Sequence, residues 1–163
     1  MAKVVVCITV ILSSFLFGSE LFKCEQKKVY AIKELRDIVG YIIICVSYLS
    51  LDVYDICRRV FANRSFNDYS AFLDISGGDF QSLWQNACEA SLSLVSLEDK
   101  AVFCEVGSVL GAYDSESQIK KLMLIEKTLD ESFVAKHEKL NNVKKLYHVI
   151  SLGFGAIICL VAA

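Results

Sequence analysis

Proline is absent from this 163-residue sequence, and glycine occurs only eight times. Because both residues break helices and mark the turns between strands, their scarcity and the 55% hydrophobic content favour a helical chain over an all-β one. A basic balance is also lacking: the net charge of −2 gives no electrostatic basis for binding nucleic acid. We therefore predict an all-α protein of one domain's length that binds no nucleic acid.

Paired cysteines are lacking as well, although the chain contains seven of these residues. A structural metal site needs thiolates at short spacing, and no Cys-x-x-Cys pair occurs. The cysteines are scattered along the chain at Cys7, Cys24, Cys45, Cys57, Cys88, Cys104 and Cys159. We expect reduced thiols that pack as small hydrophobic side chains in a protein facing the cytosol.

No catalytic motif is recognisable in the sequence. A glycine-rich phosphate loop, a nucleophile elbow and a zinc-protease helix are all missing. The two histidines, His137 and His148, lie in a charged helical stretch where surface positions are expected. We predict a component of an assembly, with no catalytic residue, no cofactor, no metal and no small-molecule substrate.

The two ends of the chain are uncharged. Residues 4–19 and 149–163 contain no Asp, Glu, Lys or Arg. Because a membrane-spanning helix needs about 20 apolar residues, residues 1–22 are predicted to form an N-terminal transmembrane anchor. Residues 149–163 are predicted to form a C-terminal membrane-embedded helix end. The alternative for the first segment is a cleaved signal peptide, although Phe17 stands where the cleavage site would need a small residue.

Basic residues flank both apolar ends on the side of the central region. They are Lys23, Lys27, Lys28, Lys33 and Arg36 after the first end, and Lys136, Lys139, Lys144 and Lys145 before the second. Positive charges mark the cytoplasmic side of a membrane protein, so residues 23–148 are predicted to form a cytosolic helical-bundle domain. Gly153 and Gly155 are expected to allow close helix packing in the membrane.

Apolar residues recur at a spacing of three or four between these ends, which predicts amphipathic helices. One such stripe consists of Ile32, Leu35, Val39, Ile42, Val46 and Leu49. We interpret the uncharged residues 39–51 as a buried core helix, because they are too few for a third membrane span. Trp84 lies in another stripe and is expected in the core. The fold predicted is a membrane-anchored antiparallel helical bundle with a long N-terminal and a long C-terminal helix.

A turn within residues 107–118 begins the last predicted helix. Gly111 directly follows Leu110, at the position where helices often end in a left-handed residue. Ser115 and Gln118 have the spacing of a capping box, and Ser96 is predicted to cap the preceding helix. We assign a structural role to the whole motif, which consists of Gly107, Leu110, Gly111, Asp114, Ser115 and Gln118.

The same residues carry a family resemblance. The pattern Gly107-x-x-Leu110-Gly111-x-x-Asp114-x-x-x-Gln118, followed by a long charged helix and an apolar tail, resembles the stage III sporulation protein AB family. The resemblance covers nearly the whole chain in length and order. The chain departs from the family's pattern near residues 45–52, where members tend to carry an acidic residue and then a Thr-Pro step.

This resemblance implies a membrane-anchored helical bundle related to the platform proteins of type II secretion. Such a protein belongs to the complex that joins mother cell and forespore during endospore formation. The expected partners are the membrane, the cytosolic stage III sporulation AA ATPase and other proteins of that complex. The expected location is the cell membrane, with the central domain facing the mother-cell cytoplasm. The alternative function is that of a secreted or extracytoplasmic helical binding protein with a cleaved signal peptide.

Overall fold

A computed structural model describes residues 2–49, 51–62, 64, 68–110 and 114–162 of the chain. Within these ranges, the side chains of residues 2–8, 10–11, 14–15, 145–148, 150–152 and 154–162 lie outside the description. All regular secondary structure in the described ranges is helical, which confirms the predicted all-α class.

Two long helices stand at the two ends of the element order. Helix α1 spans Ala2–Ile44 and continues into a π-helical turn, Cys45–Leu49. The shorter helices are α2 (Val53–Phe61), α3 (Ser70–Leu73), α4 (Phe80–Ser91) and α5 (Leu97–Val109), and α6 spans Ser115–Ala162. Because the chain has no proline to interrupt them, α1 extends over 43 residues and α6 over 48. The predicted long N-terminal and C-terminal helices are therefore confirmed.

The apolar ends of α1 and α6 were predicted to enter the membrane. Within the described residues, no helix combines the length and the apolar composition that crossing a membrane requires. The transmembrane anchor predicted for residues 1–22 and the embedded helix end predicted for residues 149–163 thus gain no support there. Many residues of both segments belong to the ranges whose side chains are not described.

The chain forms two compact units. One consists of residues 28–134, and the other of residues 1–27 together with residues 135–163. In the second unit, the Lys144 ammonium lies 5.8 Å from the centre of the Phe22 ring, and Leu140 is buried. In the first unit, the residues of α2 to α5 and the facing parts of α1 and α6 enclose one hydrophobic core.

Aromatic side chains form the centre of the core of residues 28–134. The Phe72 ring lies 4.3 Å from that of Phe61 and 4.9 Å from that of Trp84, centroid to centroid. Trp84 is fully buried, as predicted, and its indole Nε1–H donates to the Phe103 carbonyl at 3.4 Å. A buried indole needs such an acceptor, because an unpaired donor costs about 1–3 kcal/mol.

The stripe predicted along the first helix is only partly buried. Ile32, Leu35, Val39 and Ile42 are buried, as expected from their spacing. Beyond them, Tyr48 is 81% exposed and Leu49 is 42% exposed, so the prediction of a fully buried helix over residues 39–51 is wrong at its end. The π-helical turn explains this difference, because its wider turn rotates the following side chains away from the 3.6-residue period.

Arg36 of α1 contacts α6 within residues 28–134. Its guanidinium pairs with Asp130 at 2.6 Å, a hydrogen bond that raises the pKa of Arg36, and also lies 5.8 Å from the centre of the Phe133 ring. Four residues further along α1, a Cβ added to Gly40 would lie 2.8 Å from Oε1 of Glu126. Because residue numbers rise along one helix as they fall along the other, these two stretches run in opposite directions. The predicted antiparallel bundle as a whole stays a prediction.

Ser96 and Asp99 join the start of α5 to α6. The Ser96 hydroxyl oxygen accepts a hydrogen bond from the Asp99 backbone N–H at 3.4 Å, which confirms the predicted cap. The Asp99 carboxylate accepts two hydroxyl hydrogen bonds at 2.5 Å, one from Ser96 and one from Ser132 of α6. Asp99 is only 4% exposed, so its carboxylate is largely shielded from water, while Ser132 is half-buried and Ser96 is exposed.

We expect Asp99→Ala to lower the free energy of unfolding by about 1–3 kcal/mol, because it leaves the half-buried Ser132 hydroxyl without this acceptor. Glu98→Ala is the matched control, since Glu98 is the exposed neighbour in the same first turn. Urea unfolding of the purified protein measures both changes. Equal effects of the two substitutions would show that Asp99 acts only through the charge it adds at the helix start.

Candidate functional site

None of the His, Cys, Asp and Glu side chains of the described residues forms a cluster that could hold a metal ion. Burial raises the pKa of the Cys57 thiol to about 12, and burial together with the neighbouring Cys104 thiol raises that of Cys88. Thiols held neutral in this way are poor nucleophiles. The buried carboxylate of Glu34 accepts a hydrogen bond from the Tyr69 hydroxyl at 3.2 Å, an arrangement typical of a structural acid.

Gly107, the first residue of the predicted motif, lies in α5 and faces Trp84 of α4. A Cβ built on Gly107 would lie 2.6 Å from both Cδ1 and Cγ of the Trp84 indole. No real pair of carbon atoms tolerates that separation, and the fully buried indole has no room to move. The glycine is required here because the two helices approach closely, and its backbone lies in an ordinary helix.

Two features of the preceding chain position Trp84 for this contact. Gly77 and Gly78 have φ angles of +62° and +95°, which only glycine adopts easily, and they turn the chain into α4. The Asp79 side chain then accepts a hydrogen bond from the Ser82 N–H at 3.3 Å and so caps α4. Trp84 follows in the second turn of the helix.

Asp114 caps α6, and the predicted role of Ser115 is wrong. Ser115 is already the first helical residue, whereas the Asp114 carboxylate accepts a hydrogen bond from the Ser117 N–H at 3.1 Å. The backbone N–H of Gln118 donates to the Asp114 carbonyl at 3.0 Å. The cap lies one residue earlier than expected because Asp and Ser are equally good capping residues and stand side by side.

The other predicted site residues are only partly described. Leu110 is buried and its N–H donates to the Val106 carbonyl at 3.0 Å, while Gly111 lies outside the described residues. No described atom would lie within 4 Å of a Cβ on Gly153, which is exposed, and the surroundings of Gly155 are not described. Close membrane packing at these two glycines therefore stays a prediction.

Sequence reasoning missed a groove beside α2. It has a volume of about 480 Å³, is open to solvent, and is lined by Leu51, Asp55, Arg58, Arg59 and Ala62. We call these five residues the arginine groove. The adjacent Arg58-Arg59 pair on the exposed face of an amphipathic helix was the signal in the sequence that could have indicated it.

We expect Gly107→Ala to lower the free energy of unfolding by about 1–3 kcal/mol, because the new methyl group overlaps the Trp84 indole. Gly153→Ala is the matched control: Gly153 is itself exposed and no described atom lies near its Cβ position, and at such a helical position alanine raises stability by about 0.5–1 kcal/mol. Urea unfolding measures both. If the two substitutions had the same sign and size, close packing at Gly107 would be refuted.

We expect Asp114→Ala to lower the melting temperature, whereas Ser115→Ala leaves it nearly unchanged. The hydrogen bond from Ser117 lowers the pKa of Asp114, so the folded state favours the ionised carboxylate. Its stabilisation is therefore present above the unfolded pKa and is lost as the pH falls through the lower folded value. The difference in melting temperature between wild type and Asp114→Ala should shrink between about pH 5 and about pH 2. A constant difference over that range would contradict the carboxylate cap.

The model of the family described as stage III sporulation protein AB matches residues 3–162, which is nearly the whole chain. A comparison with curated proteins and one with solved structures found no match. On the extent of the family match, the chain belongs to the stage III sporulation protein AB family.

Proposed function

We propose that this chain is a non-enzymatic, membrane-associated platform or adaptor subunit of the complex that joins mother cell and forespore. It docks a cytosolic secretion-type ATPase, the stage III sporulation AA ATPase, at the membrane. The single observation that carries the proposal is the family match over residues 3–162. The role is mechanical: the subunit holds the ATPase and the membrane components in a fixed relation.

The core of residues 28–134 supports a scaffolding role. Its largest side chains, among them Trp84, Phe72 and Phe103, are fully buried and pack ring against ring. Cores packed at this density resist deformation, which a subunit that positions other proteins requires.

The exposed apolar side chains of α1 support association with the membrane. Leu12, Leu16 and Phe17 are 57%, 64% and 67% exposed, and they lie in the uncharged residues 4–19. Large apolar side chains concentrated in one segment mark a contact with lipid or protein. Basic residues follow this segment, and positive charges mark the cytoplasmic side of a membrane protein. We therefore propose a location at the cell membrane, with residues 23–148 facing the mother-cell cytoplasm.

An affinity-tagged full-length chain, cross-linked in sporulating cells and purified from their membranes, tests the complex. We expect it to recover the AA ATPase together with other proteins of the complex. The control is the same tagged chain expressed in vegetative cells, where these partners are not made. Recovery of neither the ATPase nor any other member of the complex from sporulating cells would refute the proposal.

Substitution of exposed apolar residues tests the membrane association separately. We expect Leu16→Asp/Phe17→Asp to shift the chain from the membrane fraction to the supernatant, because each change removes apolar contact with lipid and adds a charge. Met123→Asp/Leu124→Asp is the matched control, since both residues are exposed on α6 within residues 28–134. An equal shift for both variants would show that exposed apolar area in general, and not the N-terminal segment, holds the chain at the membrane.

A further inference from the structure

Helix α2 presents one face to the core and the other to the arginine groove. Ile56, Cys57, Val60 and Phe61 are buried in the core of residues 28–134. The opposite face carries Asp55, Arg58 and Arg59, which line the groove together with Leu51 and Ala62. The groove is therefore built on a helix that packing holds in place, a property that preorganises a surface for binding.

The two arginines of the groove are weakly neutralised. The Arg58 guanidinium lies 4.0 Å from the Asp55 carboxylate, and the two side chains are 63% and 59% exposed. A pair this long and this exposed contributes little. Arg59 has no ion-pair partner among the described residues. Both arginines lie in the last turn of α2, where positive charge interacts favourably with the helix dipole. The dipole does not explain why the apolar residues Leu51 and Ala62 line the same groove.

Exposed apolar side chains of the π-helical turn lie close to the groove in the chain. Tyr48 is 81% exposed and Leu49 is 42% exposed. Tyr48 precedes Leu51 by three residues, so their Cα atoms are at most about 11 Å apart, and Leu49 precedes Leu51 by two. Burial raises the pKa of the Cys45 thiol at the start of this turn, and the charge of Arg59 opposes this rise. Single-turn π-helices are frequent at functional sites.

We propose that the arginine groove, with Tyr48 and Leu49 beside it, is a docking surface for an acidic segment of a partner protein. The partner's carboxylates bind the Arg58 and Arg59 guanidinium groups, and its apolar side chains pack against Leu51 and Tyr48. Arginine and tyrosine are the residues that most often dominate binding energy at protein interfaces, and a guanidinium group binds a carboxylate through two parallel hydrogen bonds. Only the identity of the partner, a member of the sporulation complex, rests on the proposed function.

The charges of the groove favour a protein over the other possible occupants. Anionic membrane surfaces are recognised by clusters of four to eight basic residues, whereas the groove has two and also contains Asp55. Nucleic acid would require a strongly basic face, which a chain of net charge −2 does not provide. An open groove lined by two apolar residues and two arginines is complementary to an acidic segment that also carries apolar side chains.

Site-specific photo-cross-linking of the full-length chain in sporulating cells tests the proposal. A photoreactive amino acid replaces Ala62, an exposed residue of the groove, and in a second strain it replaces Leu124, an exposed residue of α6. We expect Ala62 to cross-link to a protein through a peptide rich in Asp and Glu. A cross-link only to lipid, only to a second copy of the chain, or to no protein would overturn the docking surface.

Charge reversal then tests the two arginines. We expect R58E/R59E to reduce the yield of the Ala62 cross-link by about tenfold or more, equivalent to about 1.4 kcal/mol. The control K120E/K127E makes the same change in net charge at exposed lysines of α6 and should leave the yield unchanged. Melting temperatures of both variants confirm that they fold. An Ala62 cross-link that R58E/R59E leaves unchanged would overturn the role of the arginines.

The two proposals fail in different ways. If the tagged chain recovers the ATPase but Ala62 captures no protein, the proposed function stands and the docking surface is wrong. If the tagged chain recovers no member of the sporulation complex but Ala62 captures an acidic segment of another protein in an arginine-dependent manner, the docking surface stands and the proposed function is wrong.

Discussion

The close contact between Gly107 and Trp84 is the constraint on which the core of residues 28–134 depends. Because α5 has no side chain at this position, the Trp84 indole lies directly against the helix backbone and reaches the Phe103 carbonyl. The same indole contacts the rings of Phe61 and Phe72, which come from α2 and α3. One missing methyl group thus lets four helices share a single aromatic cluster.

This constraint changes the meaning of the glycine-rich motif. A glycine in such a motif invites a conformational or ligand-binding interpretation, yet Gly107 lies in a regular helix and packs against the Trp84 indole. Asp114, further along the motif, caps α6 through its carboxylate. The described motif residues therefore specify how α5 packs and how α6 begins.

The sequence allowed the helices, the burial of Trp84 and the Ser96 cap to be predicted, because periodicity and capping depend on neighbours in the chain. It could not distinguish Asp114 from Ser115 as the cap of α6, since both residue types fit. It gave no sign of the π-helical turn, where the period changes and Tyr48 becomes exposed. Nor could it indicate the pairing of Arg36 with Asp130, because the two residues are 94 positions apart.

The distribution of charge explains why α2, and not the longer α6, presents the arginine groove. Along α6 the cations pair with acids one turn away: Lys120 with Glu116 at 2.7 Å, and Lys127 with Glu131 at 3.8 Å. Neutralised in this way, such a face keeps a helix hydrated but exerts little attraction on a charged partner. Helix α2 has Asp52 as its N-cap and Asp55 in its first turn, whereas its two arginines are adjacent in the last turn. The positive charge of α2 is therefore concentrated at its C-terminal end, where Arg58 and Arg59 line the groove.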